Sequence, residues 1–181
     1  MLLFFLRKGV GKMSNFTVKD ITKTAIMASI VFLATYVIKI PGVNGYTHLG
    51  DCMILIGVLV LGGKKGAIAG GIGAALADFI GGYMQWVFPT LIIKFLMAIV
   101  MGLFIEKILP NFKLNWLFGA ITGGIVQIIG YTAVKIIYYG FTQAIIMTPG
   151  LIVQTVAGII ITSVFVVILG TSGIINKVKS I

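Results

Sequence analysis

The chain has 181 residues, 59% of them hydrophobic and only 10% charged. A soluble domain carries roughly a quarter charged residues, so this chain cannot cover a water-facing surface, and lipid is the solvent that suits it. Net charge is +10, from 14 Lys and Arg against 4 Asp and Glu, but the basic residues lie mostly between apolar runs. There they set membrane orientation, and nucleic acid binding is not indicated.

The N-terminus opens with an apolar hexamer, Met1–Leu6, followed by Arg7, Lys8 and Lys12. A secretory signal has its charges first and a longer apolar run, so residues 1–12 are expected to be a translated leader region, with Met13 the natural start. Residues 1–19 then form a cytoplasmic segment, 20–172 the membrane domain and 173–181 a cytoplasmic tail.

Six apolar runs follow in chain order, at about 22–40, 50–63, 66–83, 90–107, 116–139 and 150–170. All but the short second run approach the ~20 residues of a membrane-spanning helix. The short connections carry Gly, Pro, Asn or Lys, as turns do. The fold class is an all-α integral membrane protein, a bundle of six transmembrane helices. Placing both termini in the cytoplasm puts Arg7, Lys8, Lys12, Lys19, Lys23, Lys64, Lys65, Lys107, Lys113, Lys177 and Lys179 inside, which is 11 of the 14 basic residues.

Lys39, Lys94 and Lys135 fall in the outer half under this topology, together with Asp51 and Asp78. His48, Gln85, Trp86, Tyr138 and Gln143 complete the set, whereas Asp20 and Glu106 belong to the inner side. Ionisable groups in a membrane are costly and tend to mark a site. Their segregation suggests a pocket open to the outside and closed below. The plainer alternative is that Asp51, Asp78, Lys94 and Lys135 pair with one another and hold the bundle, or that lysines snorkel to the interface.

The segment Gly42–Asp51 joins the first two helices on the outer side and is rich in turn formers. It offers an aromatic ring in Tyr46, an imidazole in His48 and a carboxylate in Asp51. Such convergent groups in an apolar concavity suit a small polar aromatic ligand. The substrate-binding candidates are Tyr46, His48, Asp51, Asp78, Gln85, Trp86, Lys94 and Lys135, with Tyr46 and Trp86 stacking on a ring. His48 is the sole histidine and Cys52 the sole cysteine, so neither a metal site nor a disulfide is expected. A Cys52-His48-Asp51 catalytic trio is disfavoured, because a buried lone thiol is commonly inert.

In the third run Gly66, Gly70 and Ala74 recur every four residues, with Asp78 next. That spacing lets helix backbones approach closely. Gly62–Gly66 lacks the spacing and the Ser/Thr of a nucleotide-binding loop, and Gly71-Ile72-Gly73 has no surrounding βαβ unit. No cofactor is expected. On the first helix, Ala25, Ala28 and Ser29 form a small-residue patch, suited to internal packing or to docking another membrane protein.

With these residues in place, the chain resembles the substrate-binding S components of energy-coupling factor (ECF) transporters, over roughly residues 20–170. The resemblance rests on Gly45–Asp51, Leu61–Gly66, Gly71–Tyr83 and Pro89–Lys94, which together match the riboflavin-type branch. That branch includes presumed pyridoxine and hydroxymethylpyrimidine carriers. A Pro common in the family's cytoplasmic turn is replaced here by Gly63-Lys64. The resemblance implies a multi-pass subunit of the bacterial cell membrane that captures a vitamin from outside. Its implied partners are a membrane coupling (T) protein, contacted through Ala25, Ala28 and Ser29, and two ABC-type ATPases. Pyridoxine and hydroxymethylpyrimidine are favoured over riboflavin on size. A stand-alone secondary transporter or channel is the alternative, and a lipid-modifying enzyme lacks the necessary constellation.

Overall fold

In a computed structural model, residues 16–42 and 45–172 are described. The expectations about Met13, residues 1–12 and the tail beyond 172 lie outside these. Helix α1 (Val18–Tyr36) leads to a hairpin of β1 (Lys39–Gly42) and β2 (Gly45–His48). Then come α2 (Gly50–Leu61), α3 (Gly63–Ile80) and a 3-10 turn at Met84–Trp86. Helix α4 (Val87–Leu103) runs into a π turn at Phe104–Ile108, and α5 (Asn115–Tyr139) and α6 (Phe141–Ser172) complete the chain. The connectivity alternates the helices up and down. One end of the bundle bears the hairpin, and the other bears most of the described lysines.

Among the described residues, three helical stretches are long and apolar enough to cross a membrane by themselves: Met84–Ile108, Asn115–Tyr139 and Phe141–Ile168. Helices α1 and α3 have 19 and 18 residues, or about 27–28 Å at 1.5 Å per residue. Each carries three charges: Lys19, Asp20 and Lys23 in α1, and Lys64, Lys65 and Asp78 in α3. The outward faces are mostly apolar, with Phe88, Ile137, Val153 and Val167 more than half exposed. Lipid tolerates that surface and water does not.

Helix α2 is short and, beyond Asp51 in its first turn, apolar on every side, which is the composition of a helix buried all round. It packs against α1, α3, α4 and α6. Its Ile54, Leu55 and Val58 form a core with Val31, Ala74, Met97 and Met101. The small-residue stripe on α3 meets it: a Cβ on Gly66 would stand 2.6 Å from Val58 Cα, and one on Gly70 would stand 2.7 Å from Ile54. Gly62 (φ 86°) and Gly140 (φ 82°) are single-residue links, from α2 to α3 and from α5 to α6. This left-handed backbone is what glycine adopts without strain.

Three boundaries differ from the hydropathy reading. The first helix stops at Tyr36, not near 40, because Pro41 cannot donate a backbone hydrogen bond and drives the residue before it into extended geometry. Lys39 therefore opens a strand and pairs in register with His48, rather than ending a helix. The fourth helix starts at Val87, so Lys94 lies two turns deep instead of one. The sixth starts at Phe141, with Pro149 inside it rather than at its start.

At the lysine end the acidic residues have structural partners. Thr17 and Asp20 form a reciprocal capping box at the start of α1, and Asp20 also pairs with Lys65 of α3. Glu106 Oε1 accepts from the Gly63 N–H at 2.8 Å, placing a carboxylate at the positive end of α3.

Candidate functional site

Toward the hairpin end, four helices contribute polar side chains to one buried network. Asp51 stands in the first turn of α2, where a carboxylate suits the helix N-terminus. Lys94 enters from α4 and forms an ion pair with it, the two side chains being 0% and 1% exposed. Charge so deeply buried must be paired and hydrogen-bonded, and α5 and α6 complete the bonding. Lys94 Nζ donates to Gln127 Oε1 at 2.6 Å. Gln127 Nε2 donates to Asp51 Oδ2 and to Thr155 Oγ1, both at 2.8 Å. Gln154 Nε2 donates to Asp51 Oδ2 at 3.0 Å. The Lys94 ammonium also lies 5.3 Å from the centroid of the Tyr131 ring, within cation–π range.

His48 ends β2 and carries the hairpin onto this network. Its Nδ1 accepts from the Gly50 N–H at 3.1 Å, and its Nε2 lies 3.4 Å from Gln154 Nε2. The fit around Gly50 is tight, for a Cβ there would fall 2.0 Å from Thr35 Oγ1 of α1 and 2.9 Å from His48 Nδ1.

An aromatic group adjoins the network through Tyr131, whose hydroxyl donates to Thr90 Oγ1 at 3.0 Å. Trp86 sits among Tyr131, Tyr138 and Tyr139, with ring centroids at 5.9, 5.5 and 6.3 Å. Tyr138 fixes the turn before α4 by donating to the Gln85 carbonyl at 3.0 Å.

The structure thus joins His48, Asp51, Lys94 and Trp86 in one constellation. Gln85 takes part through its backbone only, and its side chain is exposed. Lys135 is half-buried and turns toward α6, where it donates to the Met147 carbonyl at 3.4 Å. Asp78 is buried at the hairpin end of α3, and its carbonyl accepts from the Tyr83 N–H at 2.8 Å. Tyr46 lies in β2 opposite Pro41; its side chain is outside the described set. Gln127, Gln154, Thr155 and Tyr131 are additions that the charge pattern does not reveal. The spacing Gln127, Tyr131, Lys135 on α5 was the available signal, since residues four apart share a helix face.

Among the described residues no group of His, Cys, Asp and Glu could hold a metal. Cys52 is buried and donates to the Leu49 carbonyl at 2.9 Å.

A concavity of about 710 Å3 lies between α1 and α3. Ala25, Ala28 and Ser29 line it with Ile68, Ile72 and Leu76. It is a lateral, largely apolar groove.

The family model described as the ECF-type riboflavin transporter S component matches residues 15–172. An uncharacterised protein of Pyrococcus woesei is 41% identical over 124 residues, covering 68% of this chain and 82% of its own. The thiamine precursor transporter HmpT of Lactococcus lactis subsp. cremoris is 31% identical over 167 residues, covering 91% and 95%.

Proposed function

The chain belongs to the family of ECF-type riboflavin transporter S components, and we propose that within it this protein captures hydroxymethylpyrimidine for ATP-driven uptake. The observation that carries this reading is the buried Asp51-Lys94-Gln127-Gln154 network beside Trp86 and Tyr131. Fixed donors and acceptors next to aromatic faces suit a small heteroaromatic with polar substituents. Similarity to a thiamine precursor transporter favours the pyrimidine, with pyridoxine, another hydroxymethylated heteroaromatic, next.

In this reading both termini are cytoplasmic and the hairpin end faces outward. The pocket residues are His48, Asp51, Trp86, Lys94, Gln127, Tyr131 and Gln154, with Tyr46, Asp78, Gln85 and Lys135 at its margin. The groove over Ala25, Ala28 and Ser29 receives the membrane coupling protein, and two ABC-type ATPases supply the energy. A stand-alone channel is less well supported. Toward the lysine end, the buried residues of α5 next below Gln127 are Gly124, Gly123, Ala120 and Gly119, which offer a solute no side-chain hydrogen bonds.

The test is calorimetry on the detergent-purified chain with hydroxymethylpyrimidine, pyridoxine and riboflavin, followed by uptake with and without the ATPases. Submicromolar pyrimidine binding and ATPase-dependent uptake support the reading. Uptake by the chain alone overturns the coupled mechanism, and absence of binding by folded protein overturns the ligand.

A further inference from the structure

The groove between α1 and α3 has a closed floor. The two backbones approach closely there, since a Cβ on Gly73 would stand 2.4 Å from the Ala28 carbonyl. Thr24 and Ala69 line the groove from buried positions, while Ile21, Ile72, Leu76 and Ile80 remain exposed along it. Its hydroxyls give their protons to the backbone of α1. Thr24 Oγ1 donates to the Asp20 carbonyl at 2.7 Å, and Ser29 Oγ donates to the Ala25 carbonyl at 3.0 Å. An occupant of this stretch therefore has to be apolar. From Ile68 to Ile80 the groove runs about 18 Å along α3, close to the ~15 Å of hydrocarbon in one leaflet of a bilayer.

One end of the groove is charged. Lys65 precedes Ile68 by about one turn and forms an ion pair with Asp20 of α1. Its ammonium lies 6.0 Å from the centroid of the Phe16 ring, and Phe16 itself lines the groove. The adjacent Lys64 is exposed, and no carboxylate among the described residues forms an ion pair with it. Two ammonium groups against one carboxylate leave this end positive. The opposite end, at Phe32 and Ile80, carries no charge among its lining residues.

We propose that the groove seats one anionic phospholipid, with an acyl chain between α1 and α3 and the phosphate at Lys64 and Lys65. The complementarity is one of order along the groove: an occupant apolar for the depth of a leaflet and anionic at one end matches both parts at once. This goes beyond the docking reading of the same surface. The lipid fills the groove while the coupling protein is absent, and docking has to displace it. The inference depends neither on the identity of the vitamin nor on which side of the membrane the lysine end faces.

The experiment counts bound lipid by native mass spectrometry on the full chain in detergent. The chain is first equilibrated with equal amounts of phosphatidylglycerol and phosphatidylcholine of identical acyl chains. Wild type is expected to retain phosphatidylglycerol at least about fivefold over phosphatidylcholine. Lys64→Gln should lower that preference about fivefold. Lys113→Gln, at an exposed position on the connection before α5, should leave it unchanged. Ala25→Trp, which fills the groove, should reduce retention of both lipids. Equal retention of the two lipids by folded wild type overturns the proposal, as does an equal loss of preference in Lys64→Gln and Lys113→Gln. Undiminished lipid retention by folded Ala25→Trp would take the acyl chain out of the groove. A wild-type dimer free of lipid would give the groove to a second copy of the chain instead. The wild-type and Lys64→Gln results decide even if Ala25→Trp fails to fold.

Discussion

Gln127, midway along α5, donates to Asp51 Oδ2 from 76 positions away in the chain, at 2.8 Å. The same amide accepts from Lys94 through its oxygen, so one neutral side chain bridges both members of a buried ion pair. The plainer expectation that charges pair to hold the bundle is met by Asp51 and Lys94, and the ligand site at the same residues is the proposal made above. A pair satisfied on every side is rigid, and rigidity is what a selective pocket requires.

Breaking the ion pair on one side should be severe. Asp51→Asn or Lys94→Met should each destabilise the protein by about 3–5 kcal/mol, because the partner remains charged and buried. The double variant should recover much of that loss. Thermal unfolding in detergent checks this, and strictly additive effects would show that the two side chains do not interact.

Gln127→Leu keeps the volume and removes the bridge. Unsatisfied groups on Lys94, Asp51 and Thr155 should cost about 1–3 kcal/mol and weaken ligand binding as well. Gln143→Leu, at an exposed position of α6, should stay within about 0.5 kcal/mol of wild type. Unfolding midpoints that do not separate the two variants would deny Gln127 its bridging role.

Trp86→Ala should reduce ligand affinity about tenfold, the effect of losing one aromatic contact of ~1.4 kcal/mol. Trp86→Phe should retain most of it. Calorimetry distinguishes this from a folding defect, since Trp86 is half-buried at a turn rather than in the core. Affinity unchanged in Trp86→Ala would exclude the ring from the pocket.

Under the proposed function the lateral groove serves coupling and not ligand binding, which a variant can separate. Ala25 is exposed in it, so Ala25→Trp should leave ligand affinity intact in detergent and abolish ATPase-dependent uptake. By contrast, Gly73→Val should disturb folding, because a Cβ there would lie 2.4 Å from the Ala28 carbonyl. Normal uptake by Ala25→Trp would move the docking surface elsewhere.

The sequence by itself determined the solvent, the asymmetry between the two ends and two members of the buried network, Asp51 and Lys94. Few charges and long apolar runs leave lipid as the only suitable medium, and rare ionisable residues such as Asp51 and Lys94 stand out against that background. Glutamine does not stand out in the same way: Gln127 and Gln154 carry no charge, and isolated polar residues occur on many helices. Only the tertiary structure made them matter, by bringing α2, α4, α5 and α6 together and setting their amides against a buried ion pair. Hydropathy records how each residue partitions between water and lipid, one position at a time. Hydrogen-bond polarity instead belongs to pairs of atoms, and those pairs form when separate helices pack.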